Sequence, residues 1–196
     1  MIVGVIGSGG REHAICSKLY TSKKISKIYC FPGNAGTSKI SENVNLDLKN
    51  FPELKKFISK YKIELLIVGP EEPLVNGITD FLEKEKIKVF GPNKQCSKLE
   101  GSKIFTKKIC EKYNIPTAKF GIFSNLEDSI LFLNKNKFPI VVKADGLAAG
   151  KGVSICQNLS EAKKSVREIF DGKFGKAKEV LIEEFLEGEE MSFFII

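Results

Sequence analysis

The feature that most constrains this chain is a repeated pairing of a short apolar run with a glycine- or proline-rich stop. Residues 2–6 end at Gly7-Ser8-Gly9-Gly10, residues 27–31 at Pro32-Gly33, residues 64–68 at Gly69-Pro70, and residues 87–90 at Gly91-Pro92. Apolar runs this short, bounded by turn residues, read as buried strands. Between them, apolar residues recur at helical spacing: Ala14, Ile15, Leu19 and Tyr20 within 11–21, then Phe51, Leu54, Phe57 and Ile58 within 51–60. A third helical pattern covers 74–85. Strands alternating with helices predict an α/β fold built on a parallel sheet covered on both faces.

After residue 92 the rhythm changes. A helix is predicted over 103–113, ending before Ile115-Pro116, and further helices over 125–135 and 160–170. Strands are predicted at 118–123, 139–144, 152–156 and 179–184. The Gly-Pro-Asn punctuation places a domain boundary near 92–101. Residues 191–196, Met-Ser-Phe-Phe-Ile-Ile, read as an interior strand, so the chain is expected to be the front part of a longer protein.

The net charge of +7 raises the question of nucleic acid. Arg11 and Arg167 are the sole arginines, and the lysines are scattered among glutamates along the predicted helices. Nucleic-acid surfaces favour clustered arginine with interleaved aromatic residues, so a solvated lysine surface is expected instead. Cys16, Cys30, Cys96, Cys110 and Cys156 form no C-x-x-C pair, which predicts reduced, packed thiols in a cytoplasmic protein. No run approaches the ~20 apolar residues of a membrane span.

Three loops carry the first chemical signal. Gly7-Ser8-Gly9-Gly10-Arg11-Glu12-His13 follows a strand and opens a helix, where backbone N–H groups form an anion site. It is no dinucleotide fingerprint: Glu12 stands where a third glycine belongs, and no acidic residue closes the second strand. Pro32-Gly33-Asn34-Ala35-Gly36 and Gly69-Pro70-Glu71-Glu72-Pro73 follow the next strands. In an open parallel sheet all three loops converge beyond the carboxyl ends of the strands. There they offer N–H groups for a phosphate, and Glu71 or Glu72 for sugar hydroxyls. Each loop by itself also reads as a plain turn.

The second signal lies downstream. Lys143 ends an apolar strand and is followed by Ala144-Asp145-Gly146-Leu147-Ala148-Ala149-Gly150-Lys151-Gly152. The spacing fails the P-loop pattern. It fits a glycine lid between two antiparallel strands, with Lys143 in reach of nucleotide phosphates. Val180-Leu181-Ile182-Glu183-Glu184-Phe185-Leu186 then runs into an acidic stretch, offering backbone groups to a purine edge and carboxylates to a ribose. Its plain alternative is a strand with an acidic turn. His13, the single histidine, reads as a structural or supporting donor, and no His/Cys cluster suggests zinc.

Taken together, GSGGREHA (7–14), PGNAGT (32–37), VGPEEPLVNGI (68–78), LEGSKIFTK (99–107), PTA (116–118), PIVVKADGLAAGKGV (139–153) and IEEFLEGEEMSFF (182–194) resemble the phosphoribosylamine–glycine ligases. The resemblance runs in order from one end of the chain to the other. It implies a Rossmann-like phosphoribosylamine-binding domain over 1–100 and a truncated ATP-grasp domain over 101–196, with a lid subdomain at about 118–187. It further implies that Gly9, Gly10, Arg11 and Glu12 hold the phosphate side of phosphoribosylamine, with Asn34, Gly36, Gly69, Pro70, Glu71 and Glu72 framing the sugar. Lys103 and Lys143 would contact ATP phosphates, and Gly150, Lys151 and Gly152 would lie in the lid. Glu183, Glu184, Phe185, Leu186 and Glu190 would hold adenosine. The implied cofactors are ATP with Mg²⁺ or Mn²⁺, whose ligands would lie beyond Ile196, and the implied partners are small molecules acting on a monomer. Residues 1–196 alone are then expected to be inactive. The alternatives are another ATP-grasp carboxylate–amine ligase and a non-catalytic nucleotide-binding module.

Overall fold

The computed structural model describes residues 1–147, 151–175 and 178–193. The chain forms two compact units, Met1–Gly101 and Ser102–Ile196.

The first unit runs β1 (Ile2–Gly7), α1 (Gly10–Tyr20), β2 (Lys27–Pro32), a 3₁₀ turn (Thr37–Lys39), β3 (Glu42–Asn43), α2 (Phe51–Lys60), β4 (Leu65–Val68), α3 (Glu71–Asn76), α4 (Ile78–Lys84), β5 (Lys88–Phe90) and α5 (Lys94–Gly101). The strands pair in the order β3-β2-β1-β4-β5, all parallel, as the alternating pattern predicts. Val5 of the central strand lies between Cys30 and Ile67 in register. Ile6, Phe31 and Leu66 pack with Leu54, Ile58, Leu74, Ile78 and Leu82, while Val5, Ile28 and Cys30 pack with Cys16. Each fully buried aliphatic side chain contributes about 1.5–3 kcal/mol, which is why the strands read as nearly continuous apolar runs.

Three details differ from the sequence expectation. The buried side of α1 is Glu12 and Cys16, whereas Ala14 is exposed and Tyr20 is 63% exposed. The pattern over 74–85 is two helices, because Gly77 adopts φ 93°, a left-handed conformation that ends α3 and starts α4. The Gly-Pro-Glu-Glu-Pro loop is itself the start of α3. Pro70 is its N-cap, Glu71 and Glu72 favour the helix dipole, and Pro73 sits in the first turn, where a missing N–H costs nothing.

The second unit contains α6 (Lys103–Lys112), β6 (Phe120–Phe123), α7 (Leu126–Leu133), β7 (Ile140–Ala144), β8 (Val153–Cys156), α8 (Leu159–Phe170) and β9 (Val180–Glu184). Its strands form an antiparallel sheet in the order β6-β9-β7-β8. Ser102, Asn125 and Asn158 cap α6, α7 and α8 by accepting the N–H three residues on. One sheet face packs Ile140, Val142, Cys156 and Ile182 against Leu133, Ala162, Val166 and Ile169. Strand alternation puts Val141, Lys143, Val153, Ile155, Leu181 and Glu183 on the opposite face. Met191 and Phe193, expected in an interior strand, are exposed and belong to no strand, and residues 194–196 lie outside the described ones. No helix among the described residues is long and apolar enough to cross a membrane.

Candidate functional site

Parallel pairing places the ends of β1, β2 and β4 on one side of the first sheet. A cavity of about 480 Å³ opens there, lined by Gly7, Ser8, Gly9, Gly10, Arg11, Glu12, Pro32, Leu48, Pro70 and Glu71. The three loops singled out by composition therefore meet. Gly9 is the N-cap of α1 and brings no capping side chain, so the N–H groups of the helix's first turn have no intrahelical acceptor.

Hydrogen bonds lock the loops together. Asn34 donates through Nδ2 to the carbonyls of Ser8 (2.9 Å) and Gly9 (3.2 Å). Its Oδ1 accepts from the N–H of Gly36 (2.7 Å) and Thr37 (3.0 Å). Asn43 Nδ2 donates to the Asn34 carbonyl at 2.7 Å, and Thr37 Oγ1 donates to Asn43 Oδ1 at 2.9 Å. Gly36 lies so close to the His13 imidazole that a Cβ would clash with the ring. Arg11 Nη1 donates to the Gly69 carbonyl and to Glu71 Oε1, the latter at 3.1 Å. Glu71's own backbone N–H, and then the Arg11 guanidinium, hold its carboxyl below the usual carboxylate range.

Glu12 and Glu72, both expected at the site, have different surroundings. Glu12 is 5% exposed, and its Oε2 accepts the Gly9 N–H at 2.6 Å. It lines the cavity and braces the glycine loop through that bond. Glu72 is not among the lining residues and pairs with Lys49 at 3.6 Å.

In the second unit Lys143 and Glu183, 40 residues apart, come together. Lys143 Nζ is 3.0 Å from Glu183 Oε1 and 3.1 Å from Oε2. Only the second contact has hydrogen-bond geometry, so the wholly buried Oε1 has a nearby charge but no aligned donor. Lys103 Nζ donates to the Gly146 carbonyl at 2.8 Å, drawing the start of α6 to the loop after β7. Asp145 fixes the same junction by accepting from Ser102 Oγ and the Ile104 N–H. Gly152 accepts the Ala144 N–H at 2.8 Å, and Lys151 is exposed. Gly150 lies outside the described residues. Glu184 Oε1 accepts the Lys119 N–H at 2.8 Å, while Phe185, Leu186 and Glu190 are exposed.

Several residues of these two clusters escape sequence reading. Asn43 and Thr37 brace the Asn34 loop, and Lys107 reaches Glu183 Oε2 at 3.3 Å. A signal for Lys107 existed: it follows Lys103 by four residues, hence on one helix face. Its partner lies 76 residues away and gives none.

The comparisons agree with this architecture. Residues 1–100 match the family described as phosphoribosylglycinamide synthetase, N domain, and residues 101–196 match its ATP-grasp (A) domain. A phosphoribosylamine–glycine ligase of Mesorhizobium japonicum is 48% identical over all of this chain, which covers 46% of that protein. One of Clostridium acetobutylicum is 47% identical over 98% of this chain and 47% of its own length. The chain thus spans about half the length of the curated relatives it matches. Among solved structures, phosphoribosylamine–glycine ligase of Thermotoga maritima superposes with TM-score 0.78 at 34% identity, over 96% of this chain and 45% of that one. D-alanine–D-alanine ligase of Bacillus anthracis shares the fold, with TM-score 0.63 at 21% identity over 96% of this chain and 58% of that one. The chain belongs to the phosphoribosylglycinamide synthetase family, spanning its N domain and the matched part of its ATP-grasp domain.

Proposed function

We propose that this chain is the front half of an ATP-dependent ligase that joins glycine to 5-phosphoribosylamine, giving glycinamide ribonucleotide, ADP and phosphate in purine synthesis. The observation that carries the reading is the cavity where the glycine loop, the Asn34 loop and the Glu71 turn meet at the strand ends. A helix N-terminus and an arginine suit a sugar phosphate. In this reading Gly9, Gly10 and Arg11 hold the phosphate, with Glu12 bracing the loop. Asn34, Gly36, Gly69, Pro70 and Glu71 frame the ribose, and Glu72 guards the rim.

The second unit would hold ATP. Lys103, Lys143, Lys151 and Gly152, with Gly150, would face the phosphates. Glu184, Phe185, Leu186 and Glu190 would face the adenosine, with the buried Glu183 carboxylate holding Lys143 beside them. A carboxylate oxygen of glycine attacks the γ-phosphorus, the bond to the β,γ-bridging oxygen breaks, and ADP leaves. The amine of phosphoribosylamine then attacks the glycyl phosphate carbonyl, releasing phosphate and losing a proton. Such a transfer depends on positioning and charge neutralisation, which suits lysines better than a nucleophilic side chain. Mg²⁺ or Mn²⁺ would add to that neutralisation. Among the described residues, however, no group of three His, Cys, Asp or Glu side chains is placed to hold a metal ion. On the same reading the protein is a cytoplasmic monomer acting on small molecules, with no nucleic acid.

An isotope experiment tests the chemistry. With the full product of the gene and glycine carrying ¹⁸O in its carboxylate, one ¹⁸O should appear in the released phosphate. Unlabelled phosphate would refute the glycyl phosphate route.

A further inference from the structure

We infer that Lys107 is a positioning residue for nucleotide binding: its buried ammonium shares the Glu183 carboxylate with Lys143 and so leaves Lys143 able to engage an anionic ligand. This rests on the proposed role of Lys143 at the phosphates of ATP.

Lysine is almost never fully buried unless paired, and Lys107 is 8% exposed. Its Nζ donates to Thr117 Oγ1 at 2.6 Å and to the Ala118 carbonyl at 3.2 Å. It also stands 3.3 Å from Glu183 Oε2 and 5.3 Å from the centre of the Phe120 ring. These partners lead into β6 or belong to it and to β9, and Phe120 is paired directly with Glu183. The ammonium of Lys107 is thus held by several fixed groups at once.

Lys143 is held differently. Its side chain is 27% exposed, and its ion-pair partner is the Glu183 carboxylate. Only one of its two close approaches to that carboxylate is a hydrogen bond. Two ammoniums around one carboxylate leave a net charge of +1 on the sheet face. Were Lys143 alone with Glu183, the pair would be neutral, and an arriving phosphate would compete with a buried carboxylate for the same ammonium. With Lys107 fixed, Glu183 remains compensated when Lys143 turns toward a ligand. The cost of stripping a buried carboxylate of its counter-charge is what makes this arrangement matter.

The test uses the full product of the gene and two variants, Lys107→Arg and Lys107→Gln, titrated calorimetrically with ATP, ADP and adenosine. Glutamine keeps a donor for Thr117 and Ala118 but removes the charge. The Gln variant should lose about tenfold or more in affinity for ATP and ADP, while adenosine, which carries no phosphate, changes by less than about threefold. The Arg variant should stay within about threefold of the unsubstituted protein for all three ligands. Equal ATP binding in all proteins would overturn the inference. So would a parallel loss of adenosine, which marks a merely structural residue, or an Arg variant as impaired as the Gln variant. Failure of the unsubstituted protein to bind ATP would instead overturn the nucleotide reading of the site, and this inference with it.

Discussion

The carboxylate of Glu12, in the first turn of α1, packs so closely on the backbone of Gly69, at the end of β4, that a methyl group on Gly69 would collide with Oε1. Gly7 meets the same side chain from β1. One buried carboxylate therefore sets the spacing of two of the three loops around the cavity. Gly69→Ala should force Glu12 aside and destabilise the protein by about 1–3 kcal/mol, the usual effect of overpacking. Urea denaturation would show it as a lowered midpoint with an unchanged slope. An unchanged midpoint would mean that the loops yield without cost.

The Lys107–Glu183–Lys143 cluster makes a second stability prediction. Glu183 is 5% exposed, and replacing it with alanine leaves the ammonium of Lys107 buried without its counter-charge. Glu183→Ala should cost about 3–5 kcal/mol, the range for breaking a buried ion pair from one side. A loss below about 1 kcal/mol, typical of exposed pairs, would show that water reaches this carboxylate.

Much of the first unit was legible in the sequence because each strand carried two independent marks, an apolar run and a glycine or proline stop. Those marks located β1, β2, β4 and β5, and hence the three loops. What escaped was structure without an apolar signature. α5 buries only Ser97, β3 is two polar residues long, and α3 hides under prolines that resemble a turn. The burial of Glu12 was equally invisible, since a charged residue at a helix start is ordinarily solvated. The loops named themselves by composition, but the bonds that join them, such as Asn34 to the Ser8 carbonyl, depend on parallel register. The Lys107–Glu183 contact depends on the order β6-β9-β7, which no local pattern encodes.

Arg11 and Glu71 give a pH-dependent prediction. The Glu71 carboxyl is held below its ordinary value first by its own backbone N–H and then by Arg11. A lowered carboxylate pKa stabilises the fold above the ordinary value of 4.5, and that stability is lost as pH falls through the folded value. Arg11→Gln should raise the Glu71 pKa part of the way back, because the backbone contribution stays. With side chains 60% and 42% exposed, the pair contributes no more than about 1 kcal/mol at neutral pH. Carboxyl NMR titration of Glu71 checks the direction, and an unchanged Glu71 pKa in the variant would contradict the pairing.

The cysteines should differ sharply in reactivity. Cys96 is exposed, whereas Cys16, Cys30 and Cys156 are buried. Burial pushes the Cys156 thiol upward, and the Cys16 thiol is raised chiefly by its neighbour Cys30. A thiol reagent at pH 8 should label Cys96 within minutes and reach the three buried thiols only in denaturant, since burial denies the reagent access to them. Early labelling of Cys16 would mean that α1 opens away from β2.

Ligation of glycine to phosphoribosylamine is measured most directly by ADP release. The full product of the gene is given ATP, Mg²⁺, phosphoribosylamine and glycine, and each is omitted in turn. ADP release should require both phosphoribosylamine and glycine. Absence of release, or release indifferent to glycine, would contradict the ligation.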